Sequence, residues 1–543
     1  MKELFNSITK KEWLFVIFLS LAVIFITTAP AVYGWLKTPA DKVFTGMHFV
    51  SADDWFVYYS FINQGKAGQL LFTDLFAPVE HFKVFRPEWL AVGILAKIFN
   101  LSAPAALHLA RILLIPVFFA VAYLFLAYIF KEEIKRKVAS LFLAFSSGLG
   151  IFFIYRLIQY PSNYGAGTFQ WPMDLWVPDN NTFLSLFVSP HLIAAATLVF
   201  LIFLSLLLFC ENYRYRLAVF AGFCGLALFS FHPFQVLKIY ALIGGFFLVL
   251  IIKAKKIIRP LVWFGLIFFF LSLPSVLYYL WLLKFDDLTV QRALQNINPT
   301  TPLYLTLVSF GGLLIFAALG IWFLIKQKKI RENKYLFLAV WAAGQLALLY
   351  APINYQRRLG LGIHFPLAAL TVIALFYLYE KNQAWVKKWA GPLALIGAWI
   401  FLPSTLFALS AEVMVFSQER ELSYISRDLH DSIIWFSKNS PDNSVAFSDY
   451  KTGLVLPAYV LRTSYVAHAV ETPFYFQKKK EPAWFFSENR RPETEKDFLN
   501  RRRINYIIYG PTEREFGSYD PAGKPYLELV YGNETVEIYK VVE

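Results

Sequence analysis

Cysteine is almost absent from this 543-residue sequence, which contains only Cys210 and Cys224. Both lie in or at the ends of apolar segments, and the C-terminal portion has none. We therefore expect disulfides to contribute nothing to stability, and the composition excludes a metal site built from cysteine thiolates. The sequence also lacks a P-loop, so it gives no sign of a site for nucleoside triphosphates.

Charge is scarce as well. Charged residues make up 16% of the chain against 57% hydrophobic residues, and the mean hydropathy is +0.50. This composition excludes a soluble globule and predicts a polytopic α-helical membrane protein. The formal net charge of +14 comes from Lys and Arg in short runs between apolar segments. Such runs set membrane topology and do not indicate a nucleic-acid partner.

Apolar runs long enough to cross about 30 Å of hydrocarbon occur at about eleven places. They lie near 13–35, 104–130, 138–156, 190–210, 215–231, 234–252, 260–282, 302–325, 335–352, 361–379 and 389–410. Every second connection carries a Lys/Arg-rich run, as at 131–137 and 326–334. The positive-inside rule places these connections in the cytoplasm.

The remaining connections and the C-terminal portion are then predicted to lie outside the cytoplasmic membrane. The two long outer connections cover about 36–103 and 157–189. From about 418 the sequence changes to an amphipathic helix, short strands and loops with Pro and Gly. We predict a transmembrane domain over 1–417 and an extracytoplasmic α/β domain over 418–543.

Two adjacent carboxylates, Asp53 and Asp54, stand at the head of the stretch "ADDWFVYYSFINQG" in the first outer connection. Its aromatic residues share helical faces, which predicts a helix lying in the membrane interface. A carboxylate at a helix N-terminus is often only a cap. Two acids in tandem favour a binding or reaction site over that alternative.

Other polar residues collect in the predicted outer connections or at the outer ends of spans. They are Glu80 and His81 in the first connection, Asp174, Asp179 and His191 in or at the end of the second, His232 at a tight turn, and Lys238 within the following span. Ionisable groups near lipid are costly and usually functional. Capping, packing and the greater length of the outer loops are the competing explanations, and they stay open for these residues.

Arg357 and Arg358 lie at another outer turn, and His364 begins the next predicted span. Arg holds phosphate in a two-pronged geometry, and at this turn it opposes the positive-inside bias. An outer acid pair and an outer Arg pair predict a substrate with a hydroxyl to activate and a phosphate to hold. Contacts with lipid headgroups or loop acids are the alternative.

Four charged residues of the C-terminal portion are candidates for acceptor contacts, with plain surface residues as the competing interpretation. They are His468, Glu471, Glu513 and Arg514.

The sequence resembles the GT-C superfamily of membrane glycosyltransferases, which take sugar from a polyprenyl-phosphate carrier. The resemblance covers nearly the whole chain, through tandem acids after the first span, many spans and an outer C-terminal domain. Within that superfamily it is similar to a group of prokaryotic membrane proteins. The similar segments, in order, are "ADDWFVYYSFINQG", "DLWVPDNNTFLSLFVSPH", "FHPF", "QRRLGLGIHFPLA", "VAHAVETPFYFQKK" and "YIIYGPTERE".

The resemblance implies that an acid of the first outer loop is a catalytic base or a metal ligand. Asp53 is the predicted base of an inverting transfer, and Asp54 orients it or shares a divalent cation, Mg or Mn. Asp174, Asp179 and Glu80 are the candidates for a second acidic motif, but no clean acidic pair is present there. Metal dependence therefore stays open.

The other predicted site residues bind substrate. Arg357, Arg358 and Lys238 are predicted to hold the donor phosphate, and Glu80, His81, His191, His232 and His364 are candidates for contacts with the sugar or the acceptor. The implied partners are a polyprenyl-phosphate-linked sugar, an extracytoplasmic glycan, lipid or protein acceptor, and membrane lipids.

Two other functions remain alternatives. A transporter or flippase of lipid-linked saccharides would also use outer polar groups, although such proteins tend to place ionisable residues at mid-membrane and to show repeated halves. A non-catalytic membrane scaffold would use the outer domain for partner binding, and it predicts that Asp53→Asn has no effect.

Overall fold

A computed structural model gives the fold and describes residues 2–160 and 169–542. The chain forms two compact units. The first contains Met1–Pro30, Arg111–Leu280 and Ile297–Ala411, and the second contains Ala31–Ala110, Trp281–Asn296 and Glu412–Glu543. The C-terminal segment thus shares a unit with the whole of the predicted first outer connection, 36–103. The proposed division after 417 stays a prediction.

Within the described residues, seven helical segments are long and apolar enough to cross a membrane, or eight if one bent pair is a single span. The seven are Lys10–Leu36, Ala103–Ile129, Glu133–Phe153, Pro190–Asn212, Gln235–Ala254, Arg259–Phe285 and Leu303–Lys326. In the third, the α-helix Glu133–Phe145 is followed by the 3-10 turn Gly150–Phe153. The bent pair is Ala390–Phe401 and Pro403–Ser417, at 61°. The chain is therefore a multi-pass membrane protein, as predicted.

Three predicted spans correspond to helices that are not among the segments long and apolar enough to cross a membrane. They are Tyr215–Phe231, Asn333–Leu348 and His364–Lys381, which are shorter or less apolar. The number of eleven spans is therefore not confirmed. The shorter pieces elsewhere in the first unit are the helices Lys2–Asn6, Tyr155–Gln159, Met173–Trp176, Thr182–Val188 and Gln383–Lys388 and the 3-10 turns Pro178–Asn180, Lys329–Arg331 and Gln356–Gly360.

The core of the first unit is built from aromatic side chains around Trp341, which is fully buried. The rings of Phe203 and Phe365 lie 4.7 and 5.4 Å from it. The helices Leu303–Lys326 and His364–Lys381 approach closely at Gly320, where a Cβ would lie 2.2 Å from the carbonyl oxygen of Leu370. Small residues permit such backbone contacts between membrane helices.

The second unit contains a five-stranded mixed sheet and a two-stranded one. The five strands lie in the order Thr463–Ser464, Val445–Phe447, Tyr506–Tyr509, Glu537–Val541 and Leu527–Gly532. The first three strands are parallel to one another. Glu537–Val541 pairs antiparallel with Tyr506–Tyr509, and Leu527–Gly532 pairs antiparallel with Glu537–Val541. In the small sheet, Lys42–Phe44 pairs antiparallel with Tyr424–Ser426. The helices of this unit are Ala52–Lys66, Pro87–Ile98, Asp287–Gln295, Arg427–Asn439, Tyr450–Tyr459, Tyr475–Lys478, Lys480–Phe486, Pro492–Arg501 and Pro511–Arg514.

Both faces of the larger sheet are buried at the strand Tyr506–Tyr509. Successive side chains of a strand point to opposite faces, and the strand Tyr506–Tyr509 follows this rule. Tyr506 and Ile508 join one apolar cluster, whereas Ile507 and Tyr509 join another. The predicted buried strand in "INYIIYG" is thereby confirmed.

The helix Ala52–Lys66 exists as predicted, but its surroundings differ from an interfacial helix. Trp55, Phe56, Tyr59, Phe61 and Ile62 are buried. They pack in one apolar cluster that also contains residues of the C-terminal segment. The aromatic pattern that indicated contact with lipid is satisfied by protein, because a distant part of the sequence supplies the covering surface.

Candidate active site

The tandem acids lie in the first turn of the helix Ala52–Lys66. The residue before it, Ser51, adopts a left-handed conformation with φ 55°, which turns the chain sharply into the helix. Carboxylates in a first helical turn are stabilised by the helix dipole. The buried aromatic residues that follow hold this turn in place.

His468 contacts the second acid. Its Nε2 lies 3.1 Å from Oδ1 of Asp54. Its Nδ1 accepts the backbone N–H groups of Val470 at 3.2 Å and Glu471 at 3.3 Å. Because Nδ1 is an acceptor, the ring proton is on Nε2 and is donated to the carboxylate. The loop after His468 thus fixes both the ring and its tautomer.

Asp53 has the electrostatics of a proton acceptor. Burial raises the pKa of its carboxyl, and the neighbouring charge of Asp54 adds to this rise. Lys479 acts in the opposite direction and lowers the pKa of Asp53. A carboxyl shifted in this way is better suited to general-base catalysis near neutral pH than an ordinary Asp.

Lys479 is a cation that the sequence analysis did not single out. Its side chain is exposed, and its Nζ lies 4.2 Å from the centre of the Tyr450 ring. Tyr450 is itself near Asp53, whose charge raises the pKa of the phenol together with burial, the larger cause. Lys479 is therefore a cation that acts on the acid pair from within the same unit.

Arg292, on the helix Asp287–Gln295, joins the loop that follows His468 to the first outer connection. Its Nη2 lies 3.3 Å from Oδ2 of Asp74 and also pairs with Glu471. The neighbouring Gln295 donates to the carbonyl oxygens of Val470 and Thr472. Glu471 is thus not a free surface residue, and its place beside His468 is fixed by this ion-pair cluster.

The other predicted residues of the first connection do not join the acid pair. Both ring nitrogens of His81 make hydrogen bonds within its own loop. Nδ1 lies 2.7 Å from the carbonyl oxygen of Val79, and Nε2 accepts the backbone N–H of Asp74 at 2.9 Å. These contacts hold the loop, and a contact of His81 with the sugar or the acceptor stays a prediction. Glu80 is exposed. Glu88, on the helix Pro87–Ile98, was not a predicted site residue, yet burial raises the pKa of its carboxyl to about 7.

A second polar cluster, within the first unit, contains four predicted residues. Oδ2 of Asp179 lies 3.4 Å from Nη1 of Arg358, and its Oδ1 lies 3.8 Å from Nε2 of His232. Lys238 is fully buried, donates to the carbonyl oxygen of Leu361 at 2.6 Å and acts electrostatically on Asp179. Burial raises the pKa of Asp179, and Arg358 opposes the rise.

Amide side chains hold the turn that carries the two arginines. Gln235 donates to the carbonyl oxygen of Arg358 at 2.9 Å, and Asn180 donates to that of Arg357 at 3.0 Å. Asn298 accepts from Nη2 of Arg357 at 2.8 Å. Gly360 is required here, because a Cβ would lie 1.7 Å from Oδ1 of Asn180. The sequence analysis named none of these holding residues.

His364 and His191 are near this cluster. Nδ1 of His364 accepts the backbone N–H of Thr182 at 3.4 Å, and the ring lines an enclosed cavity with Asp179. That cavity has room for about one water molecule. The rings of His191 and His232 are centred 6.0 Å apart, and Ser189 lies 2.7 Å from Nδ1 of His191.

Asp174 has its own surroundings. Its Oδ2 accepts the backbone N–H of Gly150 at 3.0 Å, and hydrogen bonds from Ser404 and Ser309 lower its pKa. Burial is the larger effect and raises the pKa to about 6. Asp174 and Asp179, both candidates for the second acidic motif, therefore have different partners.

The residues do not fit a metal centre built by the protein alone. Within 2–160 and 169–542, no group of three His, Cys, Asp or Glu side chains is placed to hold a metal ion. Asp53 and Asp54 supply two carboxylates, and Mg²⁺ bound by so few also needs water or substrate phosphate oxygens. The divalent cation stays a prediction, and no step below is derived through it.

Neither a protein-family model nor a curated protein matches the sequence. The fold is similar to ArnT from Cupriavidus metallidurans bound to undecaprenyl phosphate, at TM-score 0.57 and 12% identity over 98% of each chain. It is also similar to the Archaeoglobus fulgidus oligosaccharyltransferase tethered with an acceptor peptide, at TM-score 0.56 and 13% identity over 90% of this chain and 69% of that one.

The same oligosaccharyltransferase in complex with Zn and sulfate matches at TM-score 0.51 and 14% identity, over 89% of this chain and 68% of that one. At such identities the likeness concerns the fold. These structural neighbours are glycosyltransferases of the GT-C type, and the resemblance seen in the sequence is confirmed at this level. The chain has the fold of the GT-C membrane glycosyltransferases.

Proposed function

We propose that the chain is an inverting glycosyltransferase that moves a sugar from a polyprenyl-phosphate donor to an extracytoplasmic acceptor. The observation that carries the proposal is the acid pair Asp53 and Asp54, held by His468 in a chain with the GT-C fold. ArnT binds undecaprenyl phosphate, and the oligosaccharyltransferase takes an acceptor peptide. Both support a lipid-linked donor and an acceptor outside the membrane.

In the proposed reaction, an acceptor hydroxyl attacks the anomeric carbon while the bond from that carbon to the phosphate oxygen breaks. The hydroxyl proton goes to the carboxylate of Asp53, and the polyprenyl phosphate leaves with the bonding electrons. A single displacement inverts the configuration, through a transition state with oxocarbenium character. Asp54 keeps its own charge beside the base, and His468 positions Asp54 by donating to it.

Cations are needed where the phosphate departs. Lys479 is the cation that acts electrostatically on Asp53, so we propose it as one phosphate contact. Arg357, Arg358 and Lys238 stay predicted phosphate ligands. The proposed location is the cytoplasmic membrane with the C-terminal segment outside, from the positive-inside rule.

The proposal is tested by incubating the purified protein in lipid with radiolabelled polyprenyl-phosphate sugars. Transfer of label to an acceptor supports the enzyme. Absence of product with every donor and acceptor offered would favour the scaffold. Transbilayer movement of an unchanged donor would favour the flippase.

The pH dependence of kcat/KM is expected to report Asp53. A protonated carboxyl cannot accept the hydroxyl proton, so kcat/KM falls as pH is lowered through the pKa of Asp53. Because burial raises this pKa, the fall is expected at higher pH than for an exposed Asp, whose pKa is about 3.9. A fall in kcat/KM at the pKa of an exposed Asp, or a fall that persists in Asp53→Asn, would contradict the assignment of Asp53 as the base.

His468→Ala is expected to lower kcat/KM by about 10- to 100-fold. This loss corresponds to the free energy of one hydrogen bond to a charged group. His468→Gln restores a donor to Asp54 and is expected to recover part of the rate. A purely structural histidine would lower the amount of folded protein and leave kcat/KM per folded molecule unchanged.

A further inference from the structure

A cavity of about 700 Å³ lies within the first unit, among the Lys/Arg-rich connections 131–137 and 326–334. It is lined by residues at the ends of the helices Ala103–Ile129 and Pro190–Asn212 and at the start of Asn333–Leu348. The acid pair and the arginine turn contribute no lining residue. Its volume is in the range of sites that bind small molecules and lipid headgroups.

The wall of the cavity is fixed by a buried ion pair. Nη1 of Arg136 lies 2.9 Å from Oε1 of Glu12, and the same guanidinium donates to the carbonyl oxygens of Phe130 at 2.9 Å and Lys131 at 3.2 Å. Glu12 in turn accepts from Tyr123 and from the backbone N–H of Thr9. Arg136 is thus committed to the protein and not to a ligand.

Two cations on the rim are not committed in this way. Within the described part of the chain, the side chains of Lys131 and Arg331 make no hydrogen bond or ion pair, and both residues are exposed. Lys334, also in the lining, donates to the carbonyl oxygen of Ile129 at 2.9 Å. With Arg136 neutralised by Glu12, the three basic residues Lys131, Arg331 and Lys334 still outnumber the two acids in the lining, Glu211 and Glu332, which leaves a surplus of one positive charge.

The uncharged part of the lining includes an apolar or amphipathic wall of Leu4, Ala127, Tyr128 and Cys210, with the polar residues Ser7 and Asn333 beside it. An apolar wall beside cations, at the ends of membrane helices, matches an amphiphile whose phosphate lies at the bilayer surface. A small soluble anion would gain nothing from the apolar wall. We propose that this cavity binds the phosphate headgroup of an anionic membrane phospholipid, with Lys131 and Arg331 as its ligands.

The proposal is independent of the glycosyltransferase activity. It is tested on the purified full chain by native mass spectrometry with phosphatidylglycerol, phosphatidylcholine or inorganic phosphate. Wild type is expected to retain phosphatidylglycerol in preference to phosphatidylcholine. The double variant Lys131→Gln/Arg331→Gln is expected to bind phosphatidylglycerol about 30-fold more weakly, from the loss of two cations near the surface.

The matched control is Lys381→Gln/Lys387→Gln, which removes two exposed lysines of another basic connection that are outside the lining. It is expected to bind as wild type does. Equal binding of phosphatidylglycerol by the two double variants would overturn the proposal, as would equal binding of the two lipids by wild type. Binding of inorganic phosphate alone would assign the cavity to a soluble anion and overturn the lipid assignment.

Discussion

Asp53→Asn is expected to lower kcat for sugar transfer by about 10²- to 10⁴-fold, the usual contribution of a positioned general base. The amide keeps the shape of the side chain but cannot take the acceptor proton. Turnover of a radiolabelled polyprenyl-phosphate sugar in lipid measures the loss. The donor Kd is expected to change little, because the proton moves only during the chemical step.

Folding of this variant is expected to be preserved. Burial raises the pKa of Asp53, so the ionised carboxyl is less favourable in the folded protein than in water. At a pH above that pKa a neutral amide removes this cost, and the unfolding temperature is expected to stay equal or rise. Functional sites often carry such a cost in stability.

Asp431→Asn is the matched control for Asp53→Asn. Asp431 is an exposed acid on the helix Arg427–Asn439 in the same unit, beside His430. Its loss is expected to leave turnover unchanged. Turnover of Asp53→Asn close to that of wild type and of Asp431→Asn would show that Asp53 is not the base.

Hydropathy predicted most of the membrane helices because each one must cross the same thickness of hydrocarbon. It could not fix their number. The run near 389–410 is broken before Pro403, since a proline lacks the N–H needed to continue a helix. The helices Tyr215–Phe231 and Asn333–Leu348 are short. Length and composition alone do not decide whether such helices span the membrane or are covered by neighbouring protein.

Local pattern also predicted the C-terminal elements. The helix in "DLHDSIIWF", the strand in "INYIIYG" and the two strands around Gly532 and Asn533 are all present. Each follows from periodicity or turn residues within a few positions. The pairing of Lys42–Phe44 with Tyr424–Ser426 was not predicted, because the paired segments are far apart in the sequence and carry no local signal.

The candidate site shows the same limit. Tandem acids after the first span pointed to Asp53 and Asp54, but their partner His468 was only one of several candidates in the C-terminal segment. Its separation from Asp54 is 414 residues, and no spacing rule covers such a distance. Arg292 was missed altogether, because one Arg on a short amphipathic helix reads as a solvent-exposed residue.

Arg292→Met is expected to destabilise the second unit by about 3 kcal/mol, as is usual when one partner of a largely buried ion pair is removed. The exposed side-chain fractions are 13% for Arg292, 2% for Asp74 and 14% for Glu471. Without the guanidinium, two carboxylates face each other with little water. Thermal unfolding in detergent measures the effect, and Arg292→Lys is expected to recover part of the stability, because Lys keeps the charge but not the forked geometry.

Arg501→Met is the matched control, since Arg501 is 75% exposed and pairs with Asp497 on one helix turn. A pair of that kind contributes about 1 kcal/mol or less. The double variant Arg292→Met/Glu471→Gln removes one of the two unpaired carboxylates as well, so it is expected to be more stable than Arg292→Met alone.

If Arg292→Met unfolds at the temperature of wild type, the ion-pair cluster does not hold the loop. If it is destabilised and the double variant recovers none of the loss, repulsion between Asp74 and Glu471 is not the cause. With the expected recovery, the loop that orients His468 depends on the charge balance around Arg292, and transfer is expected to fall in Arg292→Met even at temperatures where the protein is folded.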